Sequence, residues 1–269
     1  MNFFAASPTR VVGHRGSPTK ALENTFESFD RAEADGADAF ELDVRLTLDG
    51  EAVVHHDPDI VLGSRRVLLA TVTILELNET PIARGEFHGS VPTLRDVFLR
   101  YGPAGRYLVE LKPGPSPRPG LLEFRVAALL AQFALLEKAL VLSFSLDPLR
   151  RIREIEPRIQ TCLNYDGTAH RPEGRLWPDL PKGCAAIGPN MALVSDALFP
   201  RAKAEGLGVH VWTVNDAALA AHLARLGAAS VISDDVSVTG PAIREVTGAR
   251  LPLDLLAGRA WTNMAEVKP

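Results

Sequence analysis

The sequence has little of what marks a disulfide-rich, zinc-binding or membrane-spanning protein. Cys162 and Cys184 are the only cysteines among 269 residues, too few for a disulfide framework and wrongly spaced for a zinc site. No apolar run reaches the length of a transmembrane helix, and residues 1–8 lack the basic start and apolar stretch of a signal peptide. We therefore expect a cytoplasmic protein without stable membrane insertion, whose two cysteines are small core residues.

An excess of positive charge is also missing. The chain has 29 basic and 33 acidic side chains, a formal net charge of −4, so no nucleic-acid partner is expected. A Gly-x-Gly-x-x-Gly turn is absent as well, which argues against a nucleotide-binding, doubly wound sheet. The composition is 46% hydrophobic and 23% charged, as in ordinary globular proteins, and residues 1–269 are expected to form one domain. The oligomeric state is left open.

Short apolar runs alternate with amphipathic stretches between residues 10 and 240. This alternation predicts an α/β protein, a single-domain (β/α)₈ TIM barrel with its site at the C-terminal ends of the strands. Nine strand candidates compete for eight barrel positions, so one of them, in the link 45–56 or at 185–187, is expected outside the barrel. Two long loops are predicted, 59–92 with a helical turn at 74–77 and no assigned chemistry, and 166–183. The strand candidates are 10–13, 40–44, 52–54, 107–112, 140–144, 159–163, 185–187, 209–213 and 230–232.

Two carboxylates alternate with apolar residues in the second strand candidate. Glu41 and Asp43 lie between Phe40, Leu42 and Val44, so a strand would direct both acids to one face and the apolar side chains to the other. Converging carboxylates are unfavourable unless protons or a cation neutralise them. The pair alone is more typical of a solvated strand face, but it fits a metal site if other strands supply partners.

Polar residues follow several other strand candidates. His14-Arg15, His56-Asp57, and Glu110 with Lys112 all lie at or just beyond the ends of apolar runs. Each has an ordinary structural explanation, such as a buried histidine or a salt-bridged strand. As a set they fit the way a barrel assembles one site from distant parts of its sequence.

The ordered motifs resemble those of the glycerophosphodiester phosphodiesterase family over about residues 10–240. The resemblance implies a TIM barrel that hydrolyses glycerophosphodiesters, small-molecule substrates, to an alcohol and glycerol 3-phosphate. In that family the attacking group is thought to be the neighbouring glycerol hydroxyl, which forms a cyclic phosphate before water opens it. The matching segments are His14-Arg15-Gly16, Glu23-Asn24-Thr25, Glu41-Leu42-Asp43, His56-Asp57, Glu110-Leu111-Lys112, Ser143-Phe144, Trp212-Thr213-Val214-Asn215 and Ser233-Asp234.

The resemblance also implies roles for individual residues. It assigns Glu41, Asp43 and Glu110 to a divalent cation, and His14 and His56 to acid/base catalysis in an order left open. Arg15 and Lys112 would lie near the phosphate and Trp212 would be either a wall of the substrate pocket or core packing. Supporting positions are expected for Glu23, Asn24, Ser143 and Asp234.

The residue types agree with these implied roles. Three carboxylates and no thiolate favour Mg²⁺ or Ca²⁺, with Mn²⁺ as a substitute. The planar fork of Arg15 matches phosphate oxygens, whereas Lys112 offers a point charge.

The sequence departs from the family pattern after Asp57. The apolar stretch Ile60-Val61-Leu62 replaces a polar one, which leaves a lysophospholipid as an alternative substrate for the same chemistry. Two different classes of protein also remain open on the residues alone. One is a metal-dependent sugar-phosphate isomerase or aldolase, and the second is a catalytically inactive binding barrel.

Overall fold

Eight parallel strands close into a barrel in the computed structural model of the chain, which describes residues 8–114, 118–167, 180–181 and 183–249. The strands of the described residues are β1 (Arg10–Gly13), β2 (Ala39–Leu46), β3 (Ala52–Val54), β4 (Asp59–Leu62), β5 (Arg65–Leu68), β6 (Ile82–Arg84), β7 (Phe87–Gly89), β8 (Tyr107–Leu111), β9 (Ala139–Ser143), β10 (Gln160–Tyr165), β11 (Ala186–Pro189), β12 (Gly208–Val211) and β13 (Ser230–Ser233). The helices are α1 (Phe26–Ala34), α2 (Ile74–Asn78), α3 (Leu94–Tyr101), α4 (Leu121–Gln132), α5 (Leu146–Ile155), α6 (Leu198–Ala204), α7 (Ala217–Leu226) and α8 (Val236–Thr247).

The barrel order is β1-β2-β8-β9-β10-β11-β12-β13, and β1 pairs with both β2 and β13 to close the ring. Helices lie between most successive barrel strands, so the predicted (β/α)₈ barrel is confirmed. The assignment of residues 1–269 to one domain stays a prediction, because both ends of the chain lie outside the described residues.

The ninth strand candidate is the one in the link after β2. Strand β3 runs antiparallel to β2, with Val54 beside Val44, and the chain thereby reverses and returns to the carboxyl end of the barrel. The candidate at 185–187 is a barrel strand, β11. The first of the two positions predicted for the extra strand is therefore the correct one.

The predicted loop 59–92 is wrong in part. It contains two antiparallel hairpins, β4-β5 and β6-β7, and the predicted helical turn is α2. A small core separate from the barrel holds this region together, because its apolar residues pack on one another. That core consists of Val53, Ile60, Leu62, Leu69, Val72, Leu77 and Val91.

Strand β2 shows the predicted two-residue alternation. Phe40, Leu42 and Val44 are buried against the surrounding helices, whereas Glu41 and Asp43 are directed to the barrel interior, as the strand period requires. Below these acids the interior is mainly apolar. It contains Val12, Ala39, Leu108, Leu140, Leu142, Cys162, Ala186 and Ile232.

Several predicted details need adjustment. Cys162 is buried as expected, but Cys184 is only half-buried. Helix α1 is capped by Thr25, one of the two predicted caps, whose side chain accepts a hydrogen bond from the Ser28 N–H. The predicted loop 166–183 lies largely outside the described residues. Among those that are described, no helix is both long and apolar enough to cross a bilayer.

One histidine is fully buried inside the barrel, away from the polar strand ends. His210 of β12 has no exposed surface, and its Nδ1 lies 2.7 Å from Ser230 Oγ of β13. Burial disfavours the charged imidazolium and lowers the pKa of His210 to about 3. The ring is therefore neutral in the folded protein at pH 5 and above.

We predict that His210 makes stability depend on pH. The unfolded chain protonates this histidine below its ordinary pKa of 6.5 and the folded chain does not, so stability falls with pH from about 6.5 downwards. Between pH 7 and pH 5 the loss should be about 2 kcal/mol in the free energy of unfolding. Urea unfolding of wild type and His210→Asn at both pH values measures this effect. The decrease in the free energy of unfolding from pH 7 to pH 5 should be smaller in His210→Asn than in wild type by that amount. Equal losses in wild type and variant would contradict the assignment.

Candidate active site

Three carboxylates meet at the carboxyl end of the barrel. Glu41 and Asp43 come from β2, and Glu110 comes from the adjacent strand β8, where it pairs in register with Asp43. They are only 3%, 1% and 6% exposed, and one oxygen of each lies within 4.8 Å of the others. Among the described residues this is the group of acidic side chains arranged to hold a metal ion.

Two basic side chains reach into the cluster. Lys112 Nζ lies 2.6 Å from Glu110 Oε1 and 3.3 Å from Asp43 Oδ1, and Arg15 Nε lies 3.2 Å from Asp43 Oδ2. One ammonium group is thus shared by Asp43 Oδ1 and Glu110 Oε1, and because each carboxylate oxygen has more than one lone pair, both oxygens can accept further contacts. Buried oxygens of this kind are suited to a hard cation.

The electrostatics of the cluster separate its three acids. Burial and the neighbouring Asp43 charge raise the pKa of Glu110 to about 7, and burial with both neighbours raises the pKa of Glu41 well above its ordinary value. Burial alone would raise the pKa of Asp43 too, but Lys112 and Arg15 outweigh it and lower that pKa. Asp43 thus loses its proton most readily of the three, and the other two acids retain protons more readily.

The loop after β1 fixes the outer side of the cluster. Asn24 Nδ2 donates a hydrogen bond to Asp43 Oδ2 (2.9 Å), and the Arg15 N–H donates to Glu41 Oε2 (3.1 Å). Arg15 and Asn24 both have positive φ, 52° and 60°, a conformation that costs free energy except in glycine and is tolerated best by asparagine. The loop therefore adopts a strained path that brings these groups to the acids.

His14 is oriented by a carboxylate from the last barrel strand. Its Nδ1 lies 2.6 Å from Asp234 Oδ1, and its Nε2 lies 3.9 Å from Glu41 Oε2. Asn215 Nδ2 in turn donates to Asp234 Oδ2 at 2.7 Å. With Nδ1 bound to Asp234, the opposite ring nitrogen faces the acidic cluster.

His56 has a similar arrangement on the other side. Its Nδ1 lies 2.7 Å from Asp57 Oδ1, and its carbonyl accepts a hydrogen bond from Arg45 Nε at 2.7 Å. The His55 N–H donates to the Asp43 carbonyl (2.9 Å), which holds this segment against β2. Burial lowers the pKa of His56, partly opposed by the charge of Asp43.

The remaining predicted residues lie around this centre with different contacts. Trp212 Nε1 donates to the Gly188 carbonyl (2.7 Å) and its ring meets Phe144 edge-on, 5.3 Å between centroids. Lys112 Nζ lies 5.5 Å from the centroid of the same Phe144 ring, so the two aromatic rings form one wall beside the cluster. Ser143 Oγ donates to the Leu111 carbonyl, a contact that ties β9 to β8 and does not involve the acids.

Some site residues escaped the sequence analysis. Arg45 holds the His56 carbonyl, and its signal was present, because it continues the two-residue alternation of Glu41 and Asp43. Asn164 of β10 lies with Nδ2 3.5 Å from Glu110 Oε2. A lone polar residue near a strand end gives no comparable signal.

Comparison with known proteins identifies relatives of this chain. Residues 14–238 match the glycerophosphoryl diester phosphodiesterase family. YhdW of Bacillus subtilis (strain 168), named provisionally as a glycerophosphodiester phosphodiesterase, is 32% identical over 237 residues, which cover 83% of this chain and 93% of YhdW.

Two further relatives agree. The glycerophosphodiester phosphodiesterase of Caldanaerobacter subterraneus subsp. tengcongensis is 30% identical over 84% of this chain and 94% of its own length. A solved phosphodiesterase structure from Oleispira antarctica, in complex with the product sn-glycerol-3-phosphate, superimposes with a TM-score of 0.74 at 26% identity. It covers 87% of this chain and 96% of that one.

We predict that the acidic cluster binds divalent cations. Mg²⁺, Ca²⁺ or Mn²⁺ added to a chelator-treated sample should raise the free energy of unfolding by about 2.7 kcal/mol at a hundredfold excess over Kd. Asp43→Asn should lose most of this gain, because it removes the negative charge of one of the three carboxylates that would bind the cation. Calorimetric unfolding with and without the cation measures it.

A matched control is Glu123→Gln. Glu123 is equally buried, at 3% exposure, but pairs with Arg151 in the helix layer. This variant should keep the full cation-induced gain, whatever its own stability. An undiminished gain in Asp43→Asn would contradict the proposed ligand set.

Proposed function

The chain belongs to the glycerophosphoryl diester phosphodiesterase family, and we propose that it hydrolyses glycerophosphodiesters to an alcohol and glycerol 3-phosphate by metal-dependent, histidine-assisted catalysis. Membership gives the class of enzyme, a phosphoric diester hydrolase. The proposal adds that the enzyme depends on a metal ion, that two histidines transfer protons, and that the substrate is a small glycerophosphodiester. A cytoplasmic location stays a prediction.

One observation carries the proposal. A buried acidic cluster, Glu41, Asp43 and Glu110, lies beside two cationic side chains, with a carboxylate-bound histidine on each side. Structural ion pairs do not need a third buried carboxylate or two histidines oriented in this way. A site that binds an anionic phosphodiester and transfers two protons requires both features.

The residues fit a divalent cation. Glu41, Asp43 and Glu110 offer only oxygen ligands, and one oxygen of each lies within 4.8 Å of the others. A bound Mg²⁺ or Ca²⁺ would supply positive charge beside a phosphate oxygen. The choice between these ions, or Mn²⁺, is not made by the donor set.

Arg15 and Lys112 would bind the phosphate. A phosphodiester carries one negative charge and gains more as the attacking oxygen bonds to phosphorus, so fixed cations stabilise the transition state more than the ground state. The Arg15 guanidinium is held by Asp43 and by Glu23, whose Oε1 lies 2.9 Å from its NH1. Those contacts use part of its fork and leave other N–H groups for phosphate oxygens.

His14 and His56 would carry the protons. The attacking oxygen and the leaving alkoxide lie on opposite sides of phosphorus, so one histidine takes a proton while the other gives one. Asp234 and Asp57 hold the Nδ1 atoms, which fixes each ring and leaves Nε2 to exchange the proton.

Two of the three apolar residues that suggested the lysophospholipid alternative are already covered. Ile60 and Leu62 are buried in the small core beside the barrel, where they pack with other apolar side chains of the chain itself. Val61 is 45% exposed, so it is the one member of the stretch that an apolar substrate chain could contact.

We predict separate effects for the histidines. His14→Ala and His56→Ala should each slow turnover of glycerophosphocholine by about 10²- to 10⁴-fold, the usual loss when an acid or base is removed, while the cation affinity stays near that of wild type. Steady-state kinetics and titration calorimetry measure the two quantities. His222→Ala is the control, since His222 pairs with Asp196 at an exposed position. A near-normal rate in either site variant would remove that residue from the mechanism.

We also predict that Arg15→Lys impairs catalysis although the charge is kept, because lysine cannot reproduce the fork that bridges Asp43, Glu23 and phosphate. Lys112→Met should likewise lower kcat/KM, whereas Lys112→Arg should be milder. Melting temperature, cation affinity and kcat/KM are measured on all three variants. A fully active Arg15→Lys enzyme would contradict the proposal that the Arg15 fork binds the phosphate. A Lys112→Met variant that is destabilised but catalytically intact would show that Lys112 has a structural role only.

A further inference from the structure

The β6-β7 hairpin presents one face to the candidate site. Its pairs are Ile82 with Gly89 and Arg84 with Phe87. Paired residues share a face, so the side chains of Ile82, Arg84 and Phe87 lie on one side of the hairpin together with Gly89, and those of Ala83 and His88 lie on the other. The first face is directed at the loop after β1, and the second is exposed.

Close packing holds the first face in place. Ile82 packs against the small core beside the barrel. A Cβ on Gly89 would come within 2.9 Å of Thr25 Cγ2, so the hairpin backbone lies directly on the N-cap of α1. Between the hairpin and the loop runs a groove of about 530 Å³, lined in part by His14, Arg15, Glu23, Arg84, Phe87 and Asp234.

Glu23 lies between two guanidinium groups in this groove. Its Oε1 is 2.9 Å from Arg15 NH1, and its Oε2 is 3.0 Å from Arg84 NH1. The side chain of Arg15 is 18% exposed and that of Arg84 is 75% exposed. The exposed arginine of the hairpin is therefore linked to the buried arginine of the site through one shared carboxylate.

The charge around Arg15 explains why this link matters. Three carboxylates act on its guanidinium, those of Asp43, Glu41 and Glu23. A carboxylate binds arginine best through both oxygens at once, and Glu23 could do so if its second oxygen were not engaged by Arg84. Such bidentate pairing would occupy the N–H groups that an anionic substrate needs.

We propose that Arg84 is a positioning residue for this enzyme. By binding Oε2 of Glu23 it restricts that carboxylate to a single contact with Arg15 and offsets its negative charge, so that the outer N–H groups of Arg15 stay available to the phosphate. The inference rests on the proposed role of Arg15 in phosphate binding. The loss of Arg84 should weaken substrate binding and leave the chemical step largely unchanged.

The test compares kinetics of three variants with wild type on glycerophosphocholine with saturating Mg²⁺. Arg84→Ala should raise KM by about three- to fivefold with little change in kcat, the pattern of lost ground-state binding and the upper part of the range for an exposed ion pair. Arg84→Lys should restore most of the affinity, because a point charge can still engage Oε2. The matched control is Arg66→Ala, since Arg66 is 72% exposed and pairs with Asp59 on the neighbouring hairpin; its KM should equal that of wild type.

A double-mutant cycle with Glu23→Gln distinguishes an effect of Arg84 that passes through Glu23 from a direct contact between Arg84 and the substrate. In the Glu23→Gln background, Arg84→Ala should change KM less than twofold, because the carboxylate it restrains is gone. An undiminished effect there would mean that Arg84 contacts the substrate itself and would overturn the proposal. So would an unchanged KM in Arg84→Ala alone, with or without a lower Tm.

The affinity for glycerol 3-phosphate, measured by calorimetry, provides a second readout that does not depend on turnover. If wild type fails to hydrolyse glycerophosphocholine, the proposed function fails. The Arg84 effect is then still decided by this affinity, which should fall about three- to fivefold in Arg84→Ala and not in Arg66→Ala.

Discussion

Mutual repulsion among three buried carboxylates is the constraint on which the rest of this site depends. Glu41, Asp43 and Glu110 lie within 4.8 Å of one another and are almost inaccessible to water. Charges placed so close in the protein interior are unfavourable unless something compensates them. Arg15 and Lys112 supply the compensation, and Asn24 adds a hydrogen bond to the most charged acid. The protein thus maintains a polar centre above an apolar barrel interior.

The same constraint organises the parts that are not strands of the barrel. The loop after β1 adopts positive φ at Arg15 and Asn24 in order to reach the acids, and the β2-β3 reversal brings His56 back to them. The two hairpins between β3 and β8 lie beside their own small core. One of them carries Arg84 to Glu23, so that an element outside the barrel influences the charge at Arg15.

Pairing with carboxylates orients the two histidines of the site. Asp234 and Asp57 each occupy an Nδ1 atom, and both contacts involve a neighbour from a strand end or the loop that follows it. A barrel allows this because all eight strands end on the same side. Residues from β1, β2, β8 and β13 therefore converge although more than two hundred positions separate the first from the last along the chain.

The sequence by itself determined the fold class, the barrel strands and the face of β2 on which Glu41 and Asp43 lie. Strand periodicity is a local property, and the alternation of residue types records it. Its ordered motifs also indicated the acids, the two histidines and the basic residues Arg15 and Lys112 as candidate site residues. Tertiary structure alone decided that β3 lies outside the barrel and that 59–92 forms two hairpins with a separate core, because short apolar runs do not reveal which partner they pair with. It also decided that Glu23 joins Arg15 to Arg84 and that Asn164 approaches Glu110. Such contacts connect residues far apart in the chain, and their geometry is set by packing between elements, which no local pattern encodes.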